Sequence, residues 1–398
     1  YEKDRRVILI DLTEEGRQVQ RMVQQENIAF FKSKLGAFET EDLARLNDVV
    51  LSLTSLFDRW LEIMEAEGVD LGSLDYIVMN HTEPDHSGSI GRLLEKCPKA
   101  VVVASQAGLN VAKEIVNGPF ESIRAKDGEI IDLGGVTLQT ISAPFLHWPD
   151  SIFTYVKEDG VLMSCDAFGF HHAAPGVLEE TMDVAELYSE QKYYFDVIMG
   201  PFKPHVQKAI AAIRDLDIRM ICPLHGPIWR ENLEWFLEKY QRWSTYTPED
   251  RGVAIFCGSI YGHTENAAEI LAARLAERGV KNIALYDVSH TDVSYLVSEA
   301  FRCSHLVLAS ATYNGEIYTP MENFLRDLAC HGLRGRSVAL IENGTWAARS
   351  GMLMTKLLEE MKEMRVMEGT VTLKSSVKEA QRRGLESLAD AIADELLH

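Results

Sequence analysis

Five short apolar runs alternate with amphipathic runs along residues 253–397, and this alternation restricts the possible folds more than any other feature of the sequence. The predicted strands are residues 253–257, 282–287, 306–310, 337–341 and 370–373. The predicted helices are residues 265–278, 292–299, 320–330, 351–364 and 377–397. Strands that alternate with helices in this way form parallel sheets covered on both faces. The pattern therefore predicts a doubly wound parallel five-stranded sheet.

The first of these strands runs into a loop of small and hydroxyl residues, GSIYGHT at 258–264, directly before a helix. Backbone N–H groups at a helix N-terminus, together with the hydroxyls of Ser259 and Thr264, favour an anion such as phosphate. The loop contains neither a GxxxxGK[ST] nor a GxGxxG motif, which argues against nucleoside triphosphates and dinucleotides. A mononucleotide is expected, and flavin mononucleotide (FMN) is the natural candidate.

Two more loops, TYNG at 312–315 and ENGTW at 342–346, follow the third and fourth strands at the same predicted sheet edge. Tyr313 and Trp346 are suited to flank a planar ring. Each loop alone is ordinary turn chemistry, because Asn-Gly is common in turns. Three loops at one edge favour a flavin. The residues predicted to bind it are Ser259, Ile260, Tyr261, Gly262, His263, Thr264, Thr312, Tyr313, Asn314, Gly315, Asn343, Gly344 and Trp346.

A second concentration of reactive side chains is the hexapeptide HTEPDH at residues 81–86. It follows the apolar run 75–80, whose β-branched and aromatic residues predict a buried strand, so the hexapeptide is expected on a strand-to-helix loop. Two imidazoles and two carboxylates form a mixed nitrogen and oxygen set suited to iron, zinc or manganese. The alternative is a polar loop with an aspartate N-cap. The density of ligands favours the metal.

His147, Asp166 and His225 each come just past an apolar strand. Singly, each is more often structural. Loops at one edge of a sheet can deliver their side chains to a single site, so the shared placement makes all three candidates for the same metal centre.

A polar segment with proline and glycine at 244–252 is the best domain boundary, and it predicts domains at 1–247 and 252–398. Near the start of the chain, residues 6–12 are strand-like and residues 14–68 have helical spacing.

The formal net charge of −20 argues against nucleic acid or an anionic membrane surface as partner. No apolar stretch approaches the roughly 18 residues needed to cross a bilayer. Six widely spread cysteines, with no CxxC pair, fit reduced thiols in a cytoplasmic protein.

These motifs resemble those of the flavodiiron proteins, which join a metallo-β-lactamase-like αββα sandwich to a flavodoxin-like domain. The resemblance covers roughly residues 75–398 and rests on HTEPDHSGS, His147, SCDAFG at 164–169, His225 and the three flavin loops. It implies an N-terminal metallo-β-lactamase-like domain followed by a C-terminal flavodoxin-like domain. The deciding position is Glu83, because hydrolytic relatives carry a histidine there and hold zinc, whereas a carboxylate suits diiron oxygen chemistry.

Carried over residue by residue, the resemblance implies one iron held by His81, Glu83 and His147. A second iron is held by Asp85, His86 and His225, with Asp166 bridging the two. In some family members the histidine at the position of His86 does not ligate.

The resemblance also implies a function: reduction of dioxygen to water, of nitric oxide to nitrous oxide, or of both, at a non-haem diiron site. Electrons are expected to pass through FMN from a separate donor protein such as rubredoxin, since the sequence carries no CxxC module. A head-to-tail homodimer or a dimer of dimers is implied as well. Tyr193 and Tyr194 are candidate proton donors, although core or surface aromatics are commoner. His171 and His172 are equally suited to orient a ligand or to lie in solvent.

Two alternatives from other classes stay open. The first is a zinc metallo-hydrolase with an accessory flavodoxin domain, in which the same loops activate a water molecule. The second is an electron-transfer or redox-sensing protein whose first domain merely binds a partner.

Overall fold

The computed structural model describes residues 61, 64, 66–172 and 177–398, and the chain divides into two compact units, residues 1–74 and 75–398. The predicted strand at 6–12 lies outside the described residues, and so does most of the predicted helical region at 14–68. The described end of the first unit contains a 3₁₀ turn, Leu71–Ser73, in which the Gly72 N–H donates to the side chain of Asp70.

The second unit opens with a three-stranded parallel sheet. Its strands are β1 (Tyr76–Val78), β2 (Val101–Ala104) and β3 (Ser122–Arg124). Three helices lie along the connections: α1 (Pro84–Ser87), α2 (Ile90–Lys96) and α3 (Gln106–Ile115). Apolar side chains of β2 and α3 share one small core with Met79 and Ile90, which anchors the chain on both sides of residues 81–86.

A five-stranded sheet follows, antiparallel except for its last pair. Its strands are β4 (Ile130–Asp132), β5 (Thr137–Ser142), β6 (Ile152–Val156), β7 (Val161–Met163) and β8 (Met220–Cys222). Helices α4 (Val184–Tyr194), α5 (Lys203–Ile213) and α6 (Leu233–Ser244) contribute to its core. Asn80 joins the two sheets, because its carbonyl accepts from the Ile152 N–H at 2.9 Å and its side chain accepts from the Thr154 hydroxyl at 2.7 Å.

The third sheet has the strand order β10-β9-β11-β13, with β14 and β15 both pairing in parallel with β13. Its strands are β9 (Asp250–Gly258), β10 (Ile283–Asp287), β11 (Cys303–Tyr313), β12 (Glu316–Ile317), β13 (Ser337–Asn343), β14 (Arg365–Val366) and β15 (Val371–Leu373). The helices are α7 (His263–Glu277), α8 (Val293–Arg302), α9 (Thr319–Cys330), α10 (Ser350–Glu359) and α11 (Glu379–Leu397). Along β9, Val253 and Ile255 enter one core while Ala254 and Phe256 enter the other, so both faces are covered.

Counting only the five main strands in chain order, this sheet runs 2-1-3-4-5, which is the flavodoxin-like order. The doubly wound parallel sheet expected from the alternation of strands and helices is therefore confirmed. The polar segment at 244–252 spans the end of α6 and the start of β9, and the division into domains at 1–247 and 252–398 stays a prediction. Within the described residues, no helix is both long enough and apolar enough to span a membrane.

Candidate functional site

Residues 81–86 follow the end of β1 after two intervening residues, and their second half forms a single helical turn rather than the plain loop expected from the sequence. Pro84 stands at the start of this turn, where its missing N–H and fixed φ favour a helix. The Ser87 hydroxyl donates to the carbonyl of Thr82 at 2.7 Å and ties the turn back to its entry. The turn fixes the directions in which Asp85 and His86 project.

One cluster of possible ligands forms around Glu83. Its Oε2 lies 2.9 Å from His147 Nε2 and 3.3 Å from His81 Nε2. The same two ring nitrogens lie 3.5 and 3.4 Å from Asp166 Oδ2. Four side chains from three separate loops therefore converge on one point.

A second cluster forms on the other oxygen of Asp166. Its Oδ1 lies 2.9 Å from His86 Nε2 and 3.5 Å from His225 Nε2. Asp85 Oδ2 completes the group, 3.1 Å from His225 Nε2 and 3.5 Å from His86 Nε2. The structure thus brings all seven candidate metal ligands together, with the buried Asp166 facing both clusters.

Several atoms of these clusters lack hydrogen-bond partners, as expected for atoms that bind metal ions. His86 Nε2 and both oxygens of Asp166 are buried without a hydrogen-bond partner, although the nitrogen and one oxygen are only 2.9 Å apart. An ionised carboxylate only accepts, and an imidazole nitrogen without its proton also only accepts. Buried acceptors that face each other in this way call for cations between them.

Asp150 lies behind the first cluster, and the sequence did not single it out. Both of its oxygens are 3.1 Å from His81 Nδ1, and Oδ2 also accepts from the N–H and the hydroxyl of Thr82 at 2.7 Å each. Burial by itself favours the neutral form of Asp150, but the hydrogen bonds from His81 and Thr82 outweigh it and lower the pKa of the carboxyl. Burial likewise opposes charge on His81, while the bond and charge of Asp150 raise the pKa of the ring.

Asp166 is carried by a loop with two residues in the left-handed region, Cys165 at φ 58° and Phe168 at φ 67°. Such conformations are unfavourable for bulky side chains and persist only when neighbours enforce them. The Phe168 N–H donates to the Tyr240 hydroxyl at 2.9 Å, and the Trp229 indole donates to the Phe168 carbonyl at 3.0 Å. Two buried aromatic residues therefore hold the loop that presents Asp166.

The two tyrosines and two histidines that the sequence suggested as proton donors or ligand-orienting residues differ in their contacts with this centre. The exposed His171 ring packs edge-on against His225 with centroids 4.7 Å apart, and the buried Tyr194 ring packs against His171 at 5.1 Å. The Tyr193 hydroxyl instead pairs with Ser294 at 2.8 Å. His172 contacts the ring of Phe170 at 5.6 Å. Tyr194 is thus linked to the second cluster through His171, whereas Tyr193 contacts helix α8, which covers the third sheet.

At the carboxyl edge of the third sheet lies a cavity of about 160 Å³. Its lining residues are Ser259, Ile260, Tyr261, His263, Thr264, Ala311, Thr312, Asn343, Gly344, Thr345 and Ser375. Eight of the predicted flavin residues are among them. Gly262, at φ 81°, precedes α7, and its N–H donates to the Ser259 hydroxyl at 3.1 Å. The loop therefore curls around the helix N-terminus, where an anion is favoured.

The other predicted flavin residues lie beside the cavity rather than in its wall. Asn314 and Gly315, both with positive φ, form the two-residue turn between β11 and β12, with Tyr313 at the end of the strand. The Trp346 side chain is 82% exposed. Ser375 lines the cavity but was not predicted from the sequence, although it follows the fifth strand of the sheet just as the other cavity loops follow the first, third and fourth strands. Its backbone exchanges two hydrogen bonds of 3.0 Å with the side chain of Asn343.

Comparison with known proteins identifies the family. A family model described as ODP family beta lactamase matches residues 53–226. The flavo-diiron protein FprA2 of Clostridium acetobutylicum is 33% identical over 318 residues, which cover 77% of this chain and 78% of that protein. The chain belongs to the flavodiiron proteins. Among solved structures, the rubredoxin oxygen:oxidoreductase of Desulfovibrio gigas matches this flavodiiron protein with a TM-score of 0.79 and 25% identity, covering 83% of each chain.

A relative from Vibrio vulnificus is named anaerobic nitric oxide reductase flavorubredoxin. It is 31% identical over 288 residues, which cover 71% of this flavodiiron protein and 58% of the relative. The predicted family and fold class are confirmed: a metallo-β-lactamase-like part is joined to a flavodoxin-like sheet in an oxidoreductase. A flavin and a diiron centre go with the family name.

Proposed function

We propose that this flavodiiron protein reduces dioxygen to water, nitric oxide to nitrous oxide, or both, with electrons delivered through FMN by a separate donor such as rubredoxin. The observation that carries the proposal is Asp166, whose two oxygens face two ligand clusters of the same composition. Relatives named as a nitric oxide reductase and as a rubredoxin oxygen:oxidoreductase support both substrates.

In this proposal His81, Glu83 and His147 would hold one iron, and Asp85, His86 and His225 would hold the other. Asp166 would offer one oxygen to each. The support is that each set offers two imidazole nitrogens and one carboxylate besides Asp166. His86 Nε2 and both oxygens of Asp166 are also buried without a hydrogen-bond partner. Two irons held there supply electrons and polarise both atoms of a diatomic gas.

Glu83 favours this reaction over zinc hydrolysis. With Asp85 and Asp166, its carboxylate gives the ligand set a formal charge of −3. A ligand set with more oxygen atoms suits iron that cycles between the ferrous and ferric states. The carboxylate lies within 3.3 Å of two histidine nitrogens, so it is directed at the cluster.

For the flavin we propose FMN, with its phosphate on the loop of residues 259–264 and its ring beside Thr312–Tyr313–Asn314–Gly315, Asn343, Gly344 and Trp346. The free helix N-terminus of α7 and the hydroxyls of Ser259 and Thr264 support a single phosphate. Exposed aromatic side chains beside the cavity, Trp346 above all, support a planar ring.

A head-to-tail homodimer or dimer of dimers, located in the cytoplasm, completes the proposal. The assembly rests on the family resemblance, and sedimentation of the flavin-loaded protein tests it. The cytoplasmic location is supported by six cysteines that are all free.

The function is tested by reducing the iron- and flavin-loaded protein under argon and adding dioxygen or nitric oxide in separate experiments. Gas electrodes follow consumption, and gas chromatography detects nitrous oxide. The proposal expects rapid loss of at least one gas, with dioxygen reduced to water rather than released as hydrogen peroxide. Iron-free protein with its flavin intact is the control. If reduced, fully loaded protein consumes neither gas faster than this control, the proposal is wrong.

A further inference from the structure

The two proposed metal positions have the same ligand types, so a difference in their affinity for iron depends on how the ligands are held and on how far water reaches them. Each position is offered two histidine nitrogens, one carboxylate and one oxygen of Asp166. We shall call the group of His81, Glu83 and His147 the inner set, and the group of Asp85, His86 and His225 the outer set.

Asp150 contacts only the inner set. Its two oxygens lie 3.1 Å from Nδ1 of His81, so the ring donates its proton there and presents the other nitrogen to the cluster. The N–H and hydroxyl of Thr82 both donate to Oδ2 at 2.7 Å, which prevents rotation of the carboxylate. A carboxylate on the remote nitrogen of a ligating histidine fixes the tautomer and makes the ring a stronger metal ligand.

Among the residues that the structure describes, the outer set has no counterpart to Asp150. The contacts of His86 and His225 with carboxylates are all made by Nε2. Their rings instead contact each other at 4.8 Å, and His225 also contacts the ring of His171. Contacts between imidazole rings do not add negative charge to a ligand.

Water also reaches the two sets to different extents. In the inner set, the side chains of His81 and His147 are 0% and 19% exposed, and in the outer set those of His86 and His225 are 9% and 23% exposed. Between the two carboxylates, Glu83 is 31% exposed and Asp85 is 47% exposed. For both the histidines and the carboxylates the outer set is therefore the more exposed, and a ligand that is more exposed to water exchanges more easily.

We propose that Asp150 is a positioning residue that makes the two metal positions unequal, so that the inner set binds iron first and retains it while the iron of the outer set exchanges. This inference rests on the two-metal site of the proposed function.

A matched pair of variants shows which of the two sets binds iron more strongly. Glu83→Ala and Asp85→Ala each remove one partly exposed carboxylate, one from each set. Anaerobic titration of the flavin-loaded, iron-free protein with Fe²⁺ in a calorimeter should give a tight and a weak step in the wild type. Asp85→Ala should keep the tight step and lose the weak one, and Glu83→Ala should lose the tight one. The reverse assignment overturns the proposal.

Asp150→Asn tests the positioning residue itself. The amide keeps the size of the side chain and removes its charge, so the tight step should weaken by about 10- to 100-fold while the weak step stays unchanged. Asp127→Asn is the matched control, because Asp127 is an exposed aspartate that accepts only from the Ser142 N–H. An unchanged tight step, or equal weakening of both steps, overturns the proposal.

Thr82→Val provides a graded version of the same test in case Asp150→Asn does not fold. It removes one hydroxyl bond to Asp150 and leaves the charge and the backbone bond. It should weaken the tight step alone, by less than Asp150→Asn. No change, or a change in both steps, contradicts the proposal.

Mössbauer spectra of the ⁵⁷Fe-loaded, reduced protein give a second readout that a purely structural role would not produce. In Asp150→Asn, one quadrupole doublet should shift and the other should stay. If wild-type protein binds two irons in unequal steps but consumes no gas, the proposed function fails and this inference stands. Two equal steps overturn this inference even when gas is consumed, and no bound iron overturns both.

Discussion

At the scale of single residues, the site depends most on Asp166, because each of its oxygens faces a different cluster. The residue lies on a loop whose backbone passes twice through the left-handed region within four residues, at Cys165 and Phe168. Chemistry and backbone strain therefore coincide, as is common at functional sites.

Replacement of this residue gives the first prediction. Asp166→Ala should lose iron and gas reduction but keep its FMN, because the flavin cavity is built from the third sheet alone. Metal analysis, flavin absorbance and gas electrodes measure the three properties. Asp217→Ala, which removes an exposed aspartate paired with Arg219, is the control and should change none of them. Full iron content and activity in Asp166→Ala would refute the ligand assignment.

The second prediction concerns Tyr240, which holds the loop of Asp166. Tyr240→Phe leaves the buried N–H of Phe168 without an acceptor, and an unpaired buried polar group costs about 1–3 kcal/mol. The free energy of unfolding in urea should fall by that amount. Tyr295→Phe removes the same hydroxyl from an exposed side chain and should have little effect. Equal stability of the two variants would show that the hydroxyl does not support the loop.

At the scale of secondary-structure elements, the junction of β9 and α7 forms the proposed phosphate cradle. Ser259→Asp should expel FMN, because it places a negative charge where the helix N-terminus favours a phosphate. Flavin content after gel filtration measures the loss. Ser387→Asp, on the exposed surface of α11, is the matched control and should retain its flavin. Normal FMN binding by Ser259→Asp would contradict the position of the cradle.

The elements themselves were largely predictable from the sequence, because they follow from local patterns. Alternating apolar residues place Val253 and Ile255 in one core and Phe256 in the other, and this periodicity is visible in one strand at a time. The helical turn at Pro84–Ser87 was missed because four residues are too few for a periodic signal.

The metal ligands were predictable because most of them lie in one hexapeptide or just past a strand. Asp150 was not predictable from the sequence, because it lies 69 residues from His81 along the chain and only the fold brings the two side chains together. Tyr240 likewise supports Phe168 from 72 residues away. Ser375 had a usable signal, since it follows the fifth strand of the same sheet, but its pairing with Asn343 depends on the register of β13 and β15.

At the scale of the whole molecule, a buried charged group connects the metal-binding part to the third sheet. Lys203 Nζ lies 3.6 Å from Asp196 Oδ1 and 3.7 Å from the ring centroid of Phe301. Asp196 also pairs with Lys192 and accepts from the Ser298 hydroxyl at 3.2 Å. Burial lowers the pKa of Lys203 to about 7, although the charge of Asp196 opposes the shift.

This shift predicts a pH dependence of stability. Between pH 7 and the ordinary lysine value of about 10.4, the unfolded chain holds a proton that the folded chain lacks, so Lys203 destabilises the fold increasingly as the pH falls through that window. Relative to a Lys203→Met variant, the wild type should gain up to about 1.4 kcal/mol per pH unit from pH 7 upwards.

Urea unfolding at several values between pH 7 and 9 measures this difference. For Lys208→Met, at an exposed position of the same helix, the free energy of unfolding should change with pH as it does in the wild type. A difference between wild type and Lys203→Met that does not change with pH would show that Lys203 keeps its proton when folded.

Metal analysis of protein purified without oxygen, from cells supplied with both iron and zinc, tests the central claim most directly. The account predicts about two irons per chain, because three carboxylates make the ligand set rich in oxygen and offset most of the charge of two divalent cations. Protein that retains its flavin but carries zinc in both positions, or no metal at all, would contradict it.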